Sequence, residues 1–210
     1  EREDPAGLYT YSRAYSDASG FNLGNIDNAR GAREGITLSY AAEAWNFGVS
    51  IENPAGDNLG SNTGNPLTSA ANDANFEVAV GYTGMENLTL GGGYFSENDG
   101  TETDAWNINA TYQVGKALVG AEYTEIDPAT GGDRDAFLLL VDYDVSDKLG
   151  FAVRYSQWAT SATTDNDTIT IAPNYAITDS LGAILEYSTT DSDTANSDSD
   201  LIALELTYTF

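Results

Sequence analysis

The sequence predicts an all-β protein, a transmembrane antiparallel up-and-down β-barrel, and three observations support this. Apolar and polar residues alternate with a period of two in segment after segment, as they do when successive side chains of a strand point to opposite faces. Short turns, such as residues 84–87, alternate with longer loops rich in Asp, Asn, Thr and Gly, such as residues 53–73, 127–135, 160–167 and 191–200. Tyrosines recur at both ends of the apolar face of these segments.

Composition excludes several classes of protein. The chain of 210 residues carries 33 acidic and 8 basic residues, a net charge of -25. Ordinary nucleic-acid binding is excluded, because contacts to phosphates need clusters of Lys and Arg. The content of 13 Tyr, 7 Phe and 3 Trp argues against disorder, since disordered chains are poor in aromatic residues.

The sequence contains no Cys and no His. Disulfides, thiolate metal sites, the usual zinc sites and His-activated nucleophiles are therefore unavailable, and we expect no enzyme. No apolar run approaches the roughly 20 residues that a membrane helix needs. The strands of a transmembrane barrel would escape such a search, because their apolar and polar residues cancel in the average.

The chain reads as one domain, residues 1–210, built of repeated hairpins. Residues 8–15 form an aromatic-rich predicted strand, and a Gly/Asn/Asp-rich stretch follows to residue 34. From Ile36 onward, hairpins follow one another to a last strand at residues 201–210. This gives about twelve strands, or about sixteen if further strands precede Glu1. Pro173 fits badly, because a proline inside a strand removes a ladder hydrogen bond.

Two tiers of aromatic residues are predicted at the rims of the apolar face. Tyrosine suits both rims, because its ring is apolar while its hydroxyl stays hydrated. Between the tiers the face carries Val, Leu, Ile, Phe and Ala, as expected of a lipid-facing band. The turn-side tier is Tyr82, Tyr112, Tyr143, Tyr175 and Tyr208 with Phe210, and the loop-side tier is Tyr94, Tyr123, Tyr155 and Tyr187.

The opposite face is polar and predicts the lining of a pore. Fixed negative charge in a low-dielectric wall concentrates cations and repels anions, so the excess of acids predicts cation selectivity. Arg154 is the inward cation, and an isolated guanidinium among acids can set a transverse field or pair with a neighbouring acid. The predicted pore-lining residues are Glu52, Glu77, Glu122, Asp142, Arg154, Glu186 and Glu205.

The acidic loops predict a second, weaker kind of site. Ca²⁺ takes about six to eight oxygen ligands, and carboxylates supply them. The densest set is Asp191, Asp193, Asp198 and Asp200, with Asp165 and Asp167 as a second set. Their spacing matches no EF-hand, and plain solvation of these charges is the alternative.

The last residues and the first third of the chain resemble bacterial general porins, particularly those of the Rhodobacter type. The terminal Phe210 with Tyr208 and Leu206 looks like the outer-membrane assembly signal of that class. Residues 8–54, from LYTYSRAY to SIENP, resemble the segment that follows the pore-constricting third loop.

This resemblance implies a homotrimer in the outer-membrane lipid, passing small hydrophilic solutes and cations and requiring no cofactor. In such porins an arginine cluster faces the constriction loop, and the resemblance suggests Arg13, Arg30 and Arg33 for this cluster. It also implies that strands and the constriction loop precede Glu1, so that the chain is the C-terminal part of a longer porin. A complete smaller barrel is the alternative.

Other functions stay open at this point. A soluble acidic β-sheet that binds a partner would also alternate, although its apolar side would rarely carry Tyr at both ends. A surface or adhesive barrel that forms no channel would show the same alternating strands and the same aromatic tiers. An outer-membrane hydrolase is disfavoured by the lack of His, and no carboxylate pair stands out for glycosidase-like chemistry.

Overall fold

The computed structural model describes residues 35–52, 75–97, 103–161, 164–195 and 197–209. The predicted strand at residues 8–15, the loop at residues 53–73, the arginines Arg13, Arg30 and Arg33, and Phe210 lie outside these ranges. In the described part of the chain no helix combines the length and the apolar composition needed to span a membrane. The strands are β1 Gly35–Ala42, β2 Trp45–Glu52, β3 Asn75–Met85, β4 Leu88–Glu97, β5 Thr103–Val114, β6 Ala117–Pro128, β7 Arg134–Asp144, β8 Leu149–Ser161, β9 Thr164–Ala176, β10 Leu181–Ser192 and β11 Ser199–Tyr208.

The strands form a single sheet in which spatial order equals chain order. All 11 are joined edge to edge from β1 to β11, and every neighbouring pair is antiparallel. This is the predicted up-and-down arrangement, and the all-β fold class is confirmed. Within the described ranges, β1 and β11 are the two edges of the sheet.

Short connections close one end of the sheet, which we call the turn end. The pairs β1–β2, β3–β4 and β5–β6 are joined by two residues each, at 43–44, 86–87 and 115–116. Glu43, Asn87 and Gly115 have φ values of 49°, 62° and 58°. Such left-handed residues give two-residue hairpins a twist that matches the flanking strands, and Gly and Asn adopt them most easily. Gly84, expected in a turn, instead belongs to β3, where the register shifts between Tyr82 and Met85.

The two remaining short turns use a side-chain oxygen. The Leu149 amide donates to Ser146 Oγ at 3.1 Å, and the Leu181 amide donates to Thr178 Oγ1 at 3.0 Å. A side-chain hydroxyl that accepts a hydrogen bond from an amide three residues later takes the place of a main-chain carbonyl in the turn. The related sequences VSDKL and ITDSL therefore fold into the same kind of turn.

The other end, the loop end, has longer strands and shorter loops than predicted. The expected loops at residues 127–135, 160–167 and 191–200 shrink, because β6 reaches Pro128 and β9 already begins at Thr164. The prediction stopped each strand where alternation stopped. The backbone ladder continues beyond that point, because above the aromatic tier the outward side chains are polar and the alternation disappears while the pairing does not.

Register assigns the side chains to two faces, because directly paired residues of antiparallel strands share a face. The face of Val49, Val78 and Tyr94 is the predicted apolar one, and large apolar side chains on it are exposed along the sheet. We call it the outer face. The face of Glu77, Asn107 and Thr124, the inner face, is the more buried one. Polar groups inside and apolar groups outside is the arrangement that a bilayer requires of a barrel wall.

Pro173 interrupts the ladder as the sequence suggested. It lies within β9 and is paired with Phe151 of β8. Towards β10, pairing runs to Asn174 and Ile184 and resumes at Ile171 and Tyr187, and the positions between have no pair. Because proline has no N–H, the sheet keeps the pairing with β8 and loses the pairing with β10 at this point.

Candidate functional site

The inner face gathers the predicted pore-lining residues of the described strands. Glu77 is paired with Ser50 and Phe95, and Glu122 with Asn109 and Leu138. The other acids and Arg154 fall on the same face by register. Glu52 ends β2 opposite Asn75. The set is therefore spread over the wall from β2 to β11 as Glu52, Glu77, Glu122, Asp142, Arg154, Glu186 and Glu205.

Two of these carboxylates are buried. Glu77 is 2% exposed and accepts a hydrogen bond from Ser50 Oγ at 3.3 Å. Glu122 is 8% exposed and accepts one from Thr124 Oγ1 at 3.4 Å. Buried ionisable groups need such partners, since an unbonded buried carboxylate is costly. Both carboxylates are bonded to the wall that carries them.

Four of the other predicted residues are more accessible. Asp142, Arg154 and Glu186 are partly exposed, and Glu205 on the edge strand is exposed. Thr207 Oγ1 donates to Glu205 Oε1 at 3.0 Å. Arg154 is paired with Leu140 and Thr170, so it lies between the two buried acids and the turn end. These residues all lie on the inner face.

The structure adds two charged residues to the inner face, Arg134 and Asp144. Register pairs Arg134 with Ile126, and Asp144 with Gly150. Both positions continue the inward parity of Leu138 and Asp142 to the ends of β7. Extending the alternation by two steps before Leu138 and by one step after Asp142 would have found them.

An apolar cluster on the inner face was missed. It consists of Phe95, Ala105, Ile126, Ala136, Leu138 and Trp158, with Leu140 packed against it. Phe95 is 2% and Trp158 5% exposed. The cluster, which we call the lumenal cluster, lies on β4 to β8 towards the loop end. The only signal in the sequence was that β7 is apolar on both faces, from Phe137 to Val141.

Beside the cluster, the wall of β8 to β10 is lined by hydroxyl groups. Thr168 and Thr190 share a hydrogen bond of 2.7 Å across β9 and β10. Ser156 is paired with Thr168, and Arg154 with Thr170, on the same face. Ser156, Thr168 and Thr170 are themselves buried, so these hydroxyls are part of the packed wall.

The aromatic tiers lie on the outer face as predicted for their described members. Trp45 packs against Tyr82 with ring centroids 4.5 Å apart, and Trp106 against Tyr123 at 5.3 Å, so tryptophans join both tiers. On the loop side, tyrosine hydroxyls donate to acids above them. These pairs are Tyr123 with Glu125, Tyr155 with Asp167, and Tyr187 with Asp200.

The acids proposed for calcium are engaged with the chain. Asp198 accepts from the Ser192 amide at 3.1 Å and Asp193 from the Asp165 amide at 3.3 Å. Asp191 is paired with Asp167 across β9 and β10. Among the described residues, no three Asp, Glu, His or Cys side chains are grouped so as to hold a metal ion. Calcium binding stays a prediction.

Solved structures with a similar fold are outer-membrane proteins. A loop-deletion form of OmpT, an outer membrane protein of Vibrio cholerae, matches 99% of this chain and 73% of its own at 20% identity, with a TM-score of 0.65. An anion-selective porin from Comamonas acidovorans matches 94% and 64% at 13% identity, TM-score 0.64. A porin refined at 1.8 Å matches 83% and 62% at 18% identity, TM-score 0.59.

At these identities the structural matches establish the barrel-wall fold, and the chain spans between 62% and 73% of the three structures. No curated protein matches the sequence significantly. The sequence model of the Gram-negative porins matches residues 3–210. This match covers nearly the whole chain and confirms the resemblance seen in its sequence. The protein belongs to the Gram-negative porin family.

Proposed function

We propose that this chain forms the wall of a water-filled channel through which small hydrophilic solutes diffuse passively, with a preference for cations. The protein is an outer-membrane porin by family and fold. The observation that supports the proposal is the inversion of the two faces. The outer face exposes large apolar residues in every described strand pair, while the inner face carries carboxylates, amides and hydroxyls beside the lumenal cluster.

The preference for cations rests on the charges of the inner face. In the described strands the inward cations are Arg134 and Arg154, and the carboxylates outnumber them. Negative charge on a low-dielectric wall raises the local concentration of cations and repels anions. One structure with this fold is an anion-selective porin. Selectivity is therefore a property of the side chains on the wall and does not follow from the fold.

The channel has no catalytic step in this proposal. Family and fold support a channel, and the sequence has no His or Cys for a nucleophile or its base. The resemblance adds a homotrimeric assembly, and OmpT of Vibrio cholerae has a trimer form with a similar fold. Cross-linking of the folded protein in detergent, with heat-dissociated protein as control, tests the trimer.

Planar-bilayer recording of the full chain tests the proposal. We expect discrete conductance steps, and in a potassium chloride gradient a reversal potential of the sign that favours potassium. A reversal potential favouring chloride would contradict the cation preference while leaving the channel intact. Folded, heat-modifiable protein that gives no steps would support a non-channel surface barrel. A detergent-independent soluble monomer would support an acidic sheet that binds a partner.

A further inference from the structure

The inner face differs between its loop half and its turn half in the size of its side chains. Towards the loop end it carries the lumenal cluster, whose six members are at most 5% exposed. Towards the turn end, the positions between the acids are small. Asp142 is paired with Ala152 on β8, Ala152 with Ala172, and Glu186 with Ala203, while the partner of Asp142 on β6 is Leu118.

Four of the inward carboxylates on interior strands divide along the same line, and Asp144, at the turn end of β7, is exposed. Glu77 and Glu122 are buried and are paired with Phe95 and Leu138 of the lumenal cluster. Asp142 and Glu186 are partly exposed. All four strands have a neighbour on both sides, so the difference does not arise at a sheet edge.

Asp142 and Glu186 lie at one level of the wall. Asp142 is paired with Ala152, and Ala152 is paired with Ala172. The pairs on either side of the gap at Pro173 place Glu186 opposite Ala172. The two carboxylates thus stand three strands apart with only methyl groups between them. Water and ions can approach both, whereas atoms of the wall stand between the lumen and Glu77.

We propose that Asp142 and Glu186 set the preference for cations in the channel, and that Glu77 and Glu122 serve the packing of the wall. This inference rests on the proposed function and assigns its selectivity to named residues. The attraction between charges falls with distance and with screening by salt, so a carboxylate that an ion can touch outweighs one behind packed side chains. Arg154 lies on β8, between β7 and β10. Its positive charge repels cations and so limits the cation preference that both acids produce.

Charge-neutral variants of the full chain test the assignment in a potassium chloride gradient. The double variant Asp142→Asn with Glu186→Gln should move the reversal potential towards zero, with a roughly twofold or larger loss of the permeability ratio. The matched double variant Glu77→Gln with Glu122→Gln should keep the ratio and unfold more easily. An equal or larger shift in the second variant would overturn the proposal.

If the double variant Glu77→Gln with Glu122→Gln does not fold, a second measurement still tests the proposal. The sequence has no cysteine, so a single introduced thiol is a unique label. Glu186→Cys and Asp142→Cys should react rapidly with a small charged thiosulfonate in the folded protein, and Glu77→Cys slowly. Equal rates at all three positions would contradict the assignment. Conductance steps from the wild-type chain separate this failure from a failure of the channel proposal, which would show no steps at all.

Discussion

The loop half and the turn half of the wall share one strand pattern. They differ in their inward side chains, in the burial of their carboxylates and in the partners of their outer tyrosines. The loop half packs large apolar side chains inward, buries its carboxylates and binds its outer tyrosines to acids. The turn half has alanines between accessible acids on its inner face, beside larger residues such as Ile184, and the lysines Lys116 and Lys148 lie in its turns. In the proposed channel, one half of the wall would fix its shape and the other half would meet the solute.

The largest expected effect compares the same substitution in the two halves. Ile126 is 3% exposed within the lumenal cluster, whereas Ile184 on the inner face of β10 is partly exposed. We expect Ile126→Ala to lower the free energy of unfolding by about 2–5 kcal/mol, because it leaves a cavity that cannot collapse. Ile184→Ala should cost clearly less, since water already reaches the side chain.

Urea unfolding from lipid vesicles measures both variants, with the wild type as reference. Equal losses would mean that the inner face is packed alike along its length. That outcome would remove the distinction between the halves.

The next effect compares the aromatic tiers. The hydroxyl of Tyr155 on the loop side donates to Asp167 on the neighbouring strand. We expect Tyr155→Phe to lower stability by about 1 kcal/mol, the usual net worth of a hydrogen bond that is partly exposed to water. Tyr143→Phe on the turn-side tier is the matched control, and the same unfolding assay compares them. A loss at Tyr143 as large as at Tyr155 would show that the acids above the loop-side tier add nothing.

The smallest effect concerns pH at the loop end. Asp127 lies beyond the loop-side tier, and the nearby charge of Asp133, with a hydrogen bond between the two, raises the pKa of the Asp127 carboxyl. Slight burial and the charges of Asp104 and Glu125 act in the same direction. A raised pKa stabilises the folded state most below the ordinary value of 3.8, and this stabilisation is lost as the pH rises through the raised value.

We therefore expect Asp127→Asn to raise the melting temperature slightly at neutral pH and to flatten its pH dependence. Melting curves between about pH 4 and pH 7 measure this, with Asp179→Asn in a turn as control. An unchanged pH dependence in Asp127→Asn would rule out this pair as a source of acid stabilisation.

The sequence predicted what the bilayer dictates. A lipid-facing surface must be continuous and apolar, so alternation, the tyrosine tiers and the short turns were all visible, and the strands followed from them. The ends of the strands were hidden, because above the aromatic tier the backbone pairing of residues such as Asp127 and Asp191 goes on without any alternation of polarity.

The sequence predicted the face of the sheet on which each site residue lies, but it did not predict how exposed each side chain is. The inward direction of Glu77, Asp142 and Glu186 follows from counting residues along a strand. How exposed each of them is depends on neighbours contributed by other strands, which are Ser50 and Phe95 for Glu77 and Leu118 and Ala152 for Asp142. That information lies in the register between strands distant in the sequence.

Pro173 has a consequence for how the wall comes together. The two unpaired positions between β9 and β10 break the seam that joins the hairpin of β10 and β11 to the preceding strands, whereas β10 and β11 are paired without a break. Segments bounded by weak seams open and close as cooperative units. We expect this hairpin to behave as a separate unit that docks late in assembly, and its amides beside the gap to exchange hydrogen before those of β7 and β8.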